Sequence, residues 1–379
     1  MGAGDQPLAI IDVRSPLEVA RGALPGAHAL PLLTDEERHL VGLRYAEAGQ
    51  EAAVALGWEL TGPHLGARVA AWRRVAAQRP TAVVCWRGGL RSALASSLID
   101  LPSAQPVEGG YKAVRRHLTN ALPAALARAP LLVLSGLTGA GKTDLLRRLA
   151  AAAPALFVLD LEALAQHRGS SFGATDEPQP PQPSFEHAIA CALLLHRARA
   201  VVVEDESRYV GRRTLPPVLL GQMQGAQLVL LEAGLEERVA RVFETYVRSP
   251  ALRHGVATTR AALEAGVLRL RRRLGGPRTT AILGALARAE ADWSDLDAHR
   301  GWITLLLEQY YDRLYERNRR TLARPVALRG DAEELLAALP ALVDALPAHA
   351  GDRSAHAGDC PAPAGDRPAH EHASEGRTT

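Results

Sequence analysis

Residues 131–143 constrain the fold of this chain more than any other stretch. Leu131-Leu-Val-Leu-Ser135 is an apolar run of strand length, and it delivers Gly136-Leu-Thr-Gly-Ala-Gly-Lys-Thr143. That is G-x-x-x-x-G-K-[ST] in full, in the strand–loop–helix setting the motif needs. Gly136, Gly139 and Gly141 let the backbone wrap a phosphate, Lys142 places a point charge on it, and the Thr143 hydroxyl can ligate Mg²⁺. The implied ligand bears a diphosphate, whether a nucleotide or something else. Such a loop belongs to a parallel sheet with helical crossovers. The following apolar runs fit: Leu156–Leu159 ending at Asp160, Ala200–Val203 ending at Glu204, Asp205 and Glu206, and Gln227–Leu231. An acid at such a strand end can hold the hydration shell of Mg²⁺ opposite the loop, so Asp160, Glu204 and Asp205 are candidates, with Glu206 beside them.

A second strand–loop–helix unit lies upstream. Thr81-Ala-Val-Val84 leads into Cys85-Trp-Arg-Gly-Gly-Leu-Arg-Ser92, and a helix is expected over Arg91–Ile99. Loop N–H groups and a helix N-terminus favour negative charge, and Arg87 and Arg91 add two cations. These surroundings lower a thiol pKa from about 8.5 and give a thiolate beside an anion cradle. Gly88, Gly89 and Ser92 complete that cradle. From the residues alone three chemistries fit: carrying sulfur or selenium, attacking a phosphate ester, or reducing an oxyanion.

Around this unit, residues 8–127 alternate in type. A strand is expected at Leu8–Val13, then a turn and short helix near Glu18, and a cap at Thr34-Asp-Glu-Glu37. Helical periodicity follows over 38–48, 50–57 and 66–78, with a short strand near Pro106 and a helix from Ala113 to Ala127. Pro130 marks a boundary. With 379 residues the chain has room for two or three domains, and no apolar run is long enough to span a membrane. No secretory signal is read at the N-terminus, and Cys85, Cys191 and Cys360 offer neither a disulfide framework nor metal-ligand spacing. A soluble protein of the reducing cytoplasm is expected.

Only Lys112 and Lys142 are lysines; the other 42 cations are arginine. In so Arg-rich a chain, the two positions that keep a compact ammonium draw attention. From Ala251 the sequence turns helical and basic. Arg271, Arg272 and Arg273 form a cationic patch, and Tyr310 and Tyr311 stand near further arginines, including Arg319 and Arg320. Arginines with aromatics suit RNA, and Lys112, Arg115 and Arg116 join them as candidate RNA contacts; an ordinary solvated face is the plainer alternative. From residue 346 the composition turns to Ala, Pro, Gly, Asp and His, and a disordered tail is expected.

The chain resembles the bacterial tRNA 2-selenouridine synthases, in which a rhodanese domain is fused to a P-loop domain. The resemblance spans roughly residues 8–320. It rests on residues 12–16 (Asp-Val-Arg-Ser-Pro), the Cys85–Ser92 block, Gly-Gly-Tyr-Lys-Ala-Val-Arg-Arg at 109–116, and the P-loop. His-Arg-Gly-Ser-Ser-Phe-Gly at 167–173, Glu-Asp-Glu-Ser at 204–207 and Tyr-Tyr-Asp at 310–312 add to it. It implies a rhodanese-like α/β domain (1–128), a P-loop NTPase-like doubly wound parallel-sheet domain (129–250), a helical basic extension (251–345) and the tail (346–379). It further implies that wobble 2-thiouridine is first alkylated by geranyl diphosphate, and that selenophosphate then supplies selenium as geranylthiol departs. On this sequence, Cys85 would carry selenium as an S-selanylcysteine, while Arg87, Arg91, Gly88, Gly89 and Ser92 hold selenophosphate. The P-loop would hold the diphosphate, with Mg²⁺ as a candidate ion. Implied partners are tRNAs of the Lys, Glu and Gln isoacceptors and the enzyme that makes selenophosphate, with a monomer expected. The competing reading is a persulfide sulfurtransferase fused to a nucleotide-dependent kinase or ATPase.

Overall fold

The computed structural model describes residues 8–168, 172–173, 177–322 and 324–346. The expected tail from 347 onward with Cys360, the side chains of Arg319 and Arg320, and residues 169–171 of the 167–173 block lie outside the described residues.

The first unit has a four-stranded sheet in the order β2-β1-β3-β4, parallel throughout. Its elements are β1 (Ala9–Asp12), α1 (Pro16–Ala20), β2 (His28–Ala29), α2 (Asp35–Ala76), β3 (Thr81–Val84), α3 (Leu90–Ile99), β4 (Ala104–Pro106) and α4 (Gly110–Leu126). The Thr34–Glu37 capping box is present: Glu37 N–H donates to Thr34 Oγ1 at 3.1 Å and Thr34 N–H to Glu37 Oε2 at 2.7 Å. Where three separate helices are expected from the periodicity, α2 is continuous apart from a kink at Gly49, whose φ of 81° leaves the helical region. Gly57, Gly62 and Pro63 weaken the helical pattern between them, but each costs only about 1–3 kcal/mol, which tertiary packing overrides. Trp72, with no exposed surface, anchors the C-terminal end of α2 by donating from Nε1 to Leu30 O at 2.9 Å.

The second unit has a five-stranded parallel sheet in the order β11-β10-β5-β7-β6. It comprises β5 (Leu131–Gly136), α5 (Lys142–Ala152), β6 (Leu156–Leu159), α6 (Leu161–Ala165), α7 (Gln182–Leu195), β7 (Ala200–Glu204), a small hairpin of β8 (Tyr209–Val210) and β9 (Arg213–Thr214), α8 (Pro217–Gly225) and β10 (Gln227–Leu231). Both faces are covered, as a parallel sheet requires. Leu132, Leu134, Val202 and Val229 meet Leu145, Leu149 and Leu339 on one side, and Val133, Val201 and Val203 meet Phe185, Ile189 and Leu219 on the other.

Beyond β10 come α9 (Leu235–Phe243), α10 (Ser249–His254), α11 (Val256–Leu274), α12 (Gly276–Arg288), α13 (Leu296–Leu306) and α14 (Asp312–Leu322), with π-helical turns at Glu244–Arg248 and Leu307–Tyr311. The segment is not helical to its end. β11 (Val326–Gly330) returns to pair with β10, and α15 (Ala332–Ala345) covers it. The basic, alternating Arg324–Gly330 stretch gives little apolar signal because β11 is an edge strand.

The two sheets share a core. Val84, Tyr111, Leu118 and Leu122 of the first unit pack with Phe185, Ile189 and Leu193 of the second. Polar contacts reinforce the joint: Ala23 N–H donates to Ser184 Oγ at 2.9 Å, and His187 Nδ1 lies 3.0 Å from Ala23 O.

Candidate active site

Cys85 sits at the end of β3, 3% exposed. Gly88, with a φ of +68°, turns the loop back, and a Cβ there would come within 2.5 Å of Gly109 N. Gly110 needs glycine equally, since its Cβ would lie 2.3 Å from both Cys85 O and Gly88 N. The N-terminus of α4 therefore presses directly against the loop. Tyr111 N–H donates to Cys85 O at 2.8 Å and Lys112 N–H to Trp86 O at 3.2 Å. Turning the Trp86 carbonyl toward α4 turns the Arg87 N–H the other way, to the thiol. This explains the Gly-Gly-Tyr-Lys block, whose backbone sets the loop.

The thiol has its own partners. Sγ lies 3.2 Å from Ser92 Oγ. Burial pushes the Cys85 pKa up, but hydrogen bonds from the Ser92 hydroxyl and from the N–H groups of Ser92, Arg87 and Gly89 outweigh it, leaving the thiol below its ordinary value. Cys191, by contrast, is raised by burial. Of the two loop cations, Arg87 is exposed. Arg91 gives both Nη groups to Glu18, at 2.6 and 3.1 Å. Burial alone would raise Glu18, yet Arg91, Ser15 N–H and Arg38 bring it down to about 2. Arg91 therefore acts on Cys85 from a fixed ion pair. Asp12 and Arg14 form a fully buried bidentate pair, with the Arg14 guanidinium 3.7 Å from the Tyr111 ring centroid. Their place in the 12–16 block is structural: Arg14 ties β1 to Glu18 O and Gly22 O.

The P-loop lies between β5 and α5. Gly139 and Gly141 have φ of +82° and +97°, and Lys142 Nζ donates to Gly136 O at 2.9 Å. Burial would lower the Lys142 pKa, but Tyr315, Glu206 and Glu162 hold it above the ordinary lysine value. The loop is clamped from α9. Arg238, 3% exposed, donates from Nε to Thr138 O at 2.9 Å and pairs with Asp312. Arg241 donates to Ala140 O at 2.9 Å. These arginines escape a sequence reading, because Thr138 and Ala140 lie about a hundred residues away; only their i, i+3 spacing on an amphipathic helix hints at a shared face.

The candidate acids divide. Asp160 caps α6, accepting from Ala163 N–H at 2.7 Å. Asp205 accepts from Ser135 Oγ at 2.6 Å and pairs with Arg324 at 2.7 Å, so it is committed elsewhere. Glu204 is 2% exposed and pushed up to about 9 by burial and by Asp160 and Glu162; its Oε2 accepts Glu162 N–H, and its Oε1 has no partner. Glu206 is pushed up to about 8 by burial and Glu162. Glu162, absent from the sequence candidates, faces the loop: its Oε2 lies 3.5 Å from Thr143 Oγ1. Among the described residues no three His, Cys, Asp or Glu side chains group as a ready metal site.

The RNA candidates divide as well. Lys112, Arg116, Arg271 and Arg272 are exposed. Arg115 stands 4.0 Å from Glu186 across the joint between the sheets. Arg273 donates to Tyr310 Oη at 3.1 Å. Tyr311 is only 9% exposed and packs in the helical core, so it has no free face for a base. Its aromatic character in sequence reflects packing.

Comparison with known proteins adds the family. The profile of the tRNA 2-selenouridine synthase AAA domain matches residues 129–344. A tRNA 2-selenouridine synthase of Cupriavidus necator is 44% identical over 345 residues, covering 86% of this chain and 92% of its own. Those of Cupriavidus pinatubonensis and Marinobacter nauticus are 42% and 40% identical, over 85% and 87% of this chain and 92% of theirs. With a profile spanning more than half the chain and relatives aligned along most of it, the chain belongs to the tRNA 2-selenouridine synthase family.

Proposed function

We propose that this protein converts wobble 2-thiouridine of tRNA to 2-selenouridine in two steps, through S-geranyl-2-thiouridine. In the first, the thiouridine sulfur attacks geranyl diphosphate and pyrophosphate leaves. Alkylation makes sulfur a good leaving group. In the second, the selenium of selenophosphate attacks C2 of the uracil, the C2–S bond breaks and geranylthiol departs; water then cleaves the Se–P bond, releasing phosphate and leaving 2-selenouridine. The first unit acts as a rhodanese-like domain, residues 1–128, with Cys85 the thiolate of the selenation step, beside which selenophosphate is held. Arg87, Gly88, Gly89, Arg91 and Ser92 receive selenophosphate, with Arg91 held in place by Glu18. The observation that carries this is a thiol lowered by Ser92 and three loop N–H groups, in one chain with a complete P-loop.

The P-loop domain (129–250) with its helical extension (251–345) performs the alkylation. Lys142 and the loop N–H groups neutralise the departing pyrophosphate. Mg²⁺ fits beside the loop, where Glu162 Oε2 lies 3.5 Å from Thr143 Oγ1 and the buried Oε1 of Glu204 has no partner. Thr143 and Glu162 would hold it, and it would supply further neutralisation of the diphosphate. The exposed arginines of α4 and α11 offer phosphate contacts for tRNA, with Lys, Glu and Gln isoacceptors as the substrates. A cytoplasmic monomer using selenophosphate from a separate enzyme fits; no helix among the described residues is long and apolar enough to cross a membrane.

The test is mass spectrometry of nucleosides from thiolated tRNA incubated with the protein, geranyl diphosphate and selenophosphate. S-geranyl-2-thiouridine and 2-selenouridine are expected. ATP turnover with sulfur transfer from thiosulfate, and neither nucleoside, would favour a sulfurtransferase–ATPase fusion instead.

A further inference from the structure

An apolar cleft opens beside the P-loop. The space its walls enclose is small, ≈ 30 Å³, and reaches ≈ 380 Å³ only when the open mouth is counted; Thr138 of the loop forms part of its wall. We propose that this cleft receives the hydrocarbon chain of an isoprenoid diphosphate whose diphosphate occupies the P-loop. The proposal rests on geranyl diphosphate being the P-loop substrate.

The walls are almost wholly carbon. Phe172, Val242, Tyr246, Leu306 and Tyr311 contribute, and among the described residues no charged or amide side chain lines the cleft. Trp302, also on the wall, spends its Nε1–H on His299 Nδ1 at 3.1 Å. A nucleotide's ribose and base would ask for several donors and acceptors, and these walls give them only hydroxyls. An alkyl chain asks for none, and apolar cavities take hydrocarbons readily.

The head group and the chain are served by neighbouring residues of one helix. On α9, Arg241 donates to Ala140 O of the P-loop, while Val242 faces the cleft. Val242 also closes on the loop: a Cβ on Gly139 would lie 3.1 Å from Val242 Cγ2. The anion cradle and the cleft are therefore contiguous.

Two further features converge on the same walls. Both π-helical turns reach the cleft, the first through Tyr246 and the second through Leu307 and Tyr311. Such turns concentrate at functional sites because the extra residue reshapes a packed face. Phe172 comes from the His-Arg-Gly-Ser-Ser-Phe-Gly block, which the reaction steps leave unexplained. Its ring is seated on Gly266 of α11, where a Cβ would come within 2.3 Å of it. Arg168 holds that block, its N–H donating to Gly173 O at 2.8 Å and its guanidinium to Thr245 O at 3.3 Å. The block thus supplies a wall of the cleft.

The experiment is calorimetric titration of the full chain with geranyl diphosphate, dimethylallyl diphosphate and inorganic pyrophosphate, for wild type, Val242→Trp and Tyr246→Ala. Geranyl diphosphate is expected to bind at least about tenfold more tightly than pyrophosphate, with dimethylallyl diphosphate between them, because each added carbon is buried. Val242→Trp is expected to bring geranyl diphosphate to within about twofold of pyrophosphate; the ratio is the readout, because Val242 also packs on Gly139 of the loop. Tyr246→Ala, which opens the cleft, lowers the geranyl advantage without touching pyrophosphate. If geranyl diphosphate outbinds pyrophosphate by the same ratio in all three proteins, the chain lies elsewhere and the cleft is refuted, while the substrate stands. If wild type binds geranyl diphosphate no better than pyrophosphate, the substrate itself is overturned. Should Val242→Trp lose pyrophosphate as well, Tyr246→Ala and the chain-length series decide.

Discussion

Cys85 owes its reactivity to hydrogen bonds that can be removed one at a time. Its alkylation rate should rise with pH and level off at a midpoint below the ~8.5 of a free thiol. In Ser92→Ala the thiolate loses its hydroxyl donor, so the midpoint should move upward; an unchanged profile would remove Ser92 from the account. Glu18 makes a second prediction. Its folded pKa of about 2 lies below the unfolded value near 4.5, so its ion pair with Arg91 stabilises the protein above pH 4.5, and that contribution is lost as pH falls toward 2. Glu18→Gln should therefore cost about 3 kcal/mol at pH 7 and progressively less below pH 4.5. Thermal unfolding across pH reads the difference; a cost independent of pH would mean that Glu18 acts by packing.

At the level of elements, both loops are shaped by helices distant in sequence. The start of α4 holds the Cys85 loop, and α9 holds the P-loop. Gly110→Ala should displace the Cys85 loop, because its Cβ would meet backbone atoms that cannot yield. Its expected signature is several-fold slower alkylation of Cys85, with pyrophosphate binding intact by titration. Arg238→Met breaks the pair with Asp312 and frees Thr138 O, so pyrophosphate affinity should fall about tenfold or more while Cys85 alkylates normally. What could be read from sequence follows the same division. Cys85, Lys142 and Thr143 were legible because each motif closes its chemistry within eight residues. Glu18, Glu162, Arg238 and Arg241 were not, since their partners lie in other elements and a single sequence carries no record of such pairing. β11 was missed for a related reason: an edge strand with basic residues lacks the apolar run that marked β5 and β7.

For the whole molecule, the shared core between the sheets matters most. Phe185, fully buried, packs at the joint where α4 of the first unit meets α7 of the second. Phe185→Ala should cost about 3–5 kcal/mol and lower the unfolding of both units together, seen as one calorimetric transition. Two separated transitions, with only one shifted, would mean the units are independent. That joint also holds the Cys85 loop and the P-loop in one fixed relation.

The central claim is a division of labour: the P-loop alkylates the base and Cys85 completes the exchange. Nucleoside mass spectrometry of thiolated tRNA treated with Cys85→Ala and with Lys142→Ala tests it most directly. Cys85→Ala should accumulate S-geranyl-2-thiouridine without 2-selenouridine, and Lys142→Ala should form neither. Wild-type levels of 2-selenouridine from Cys85→Ala, or undiminished geranylation by Lys142→Ala, would contradict it.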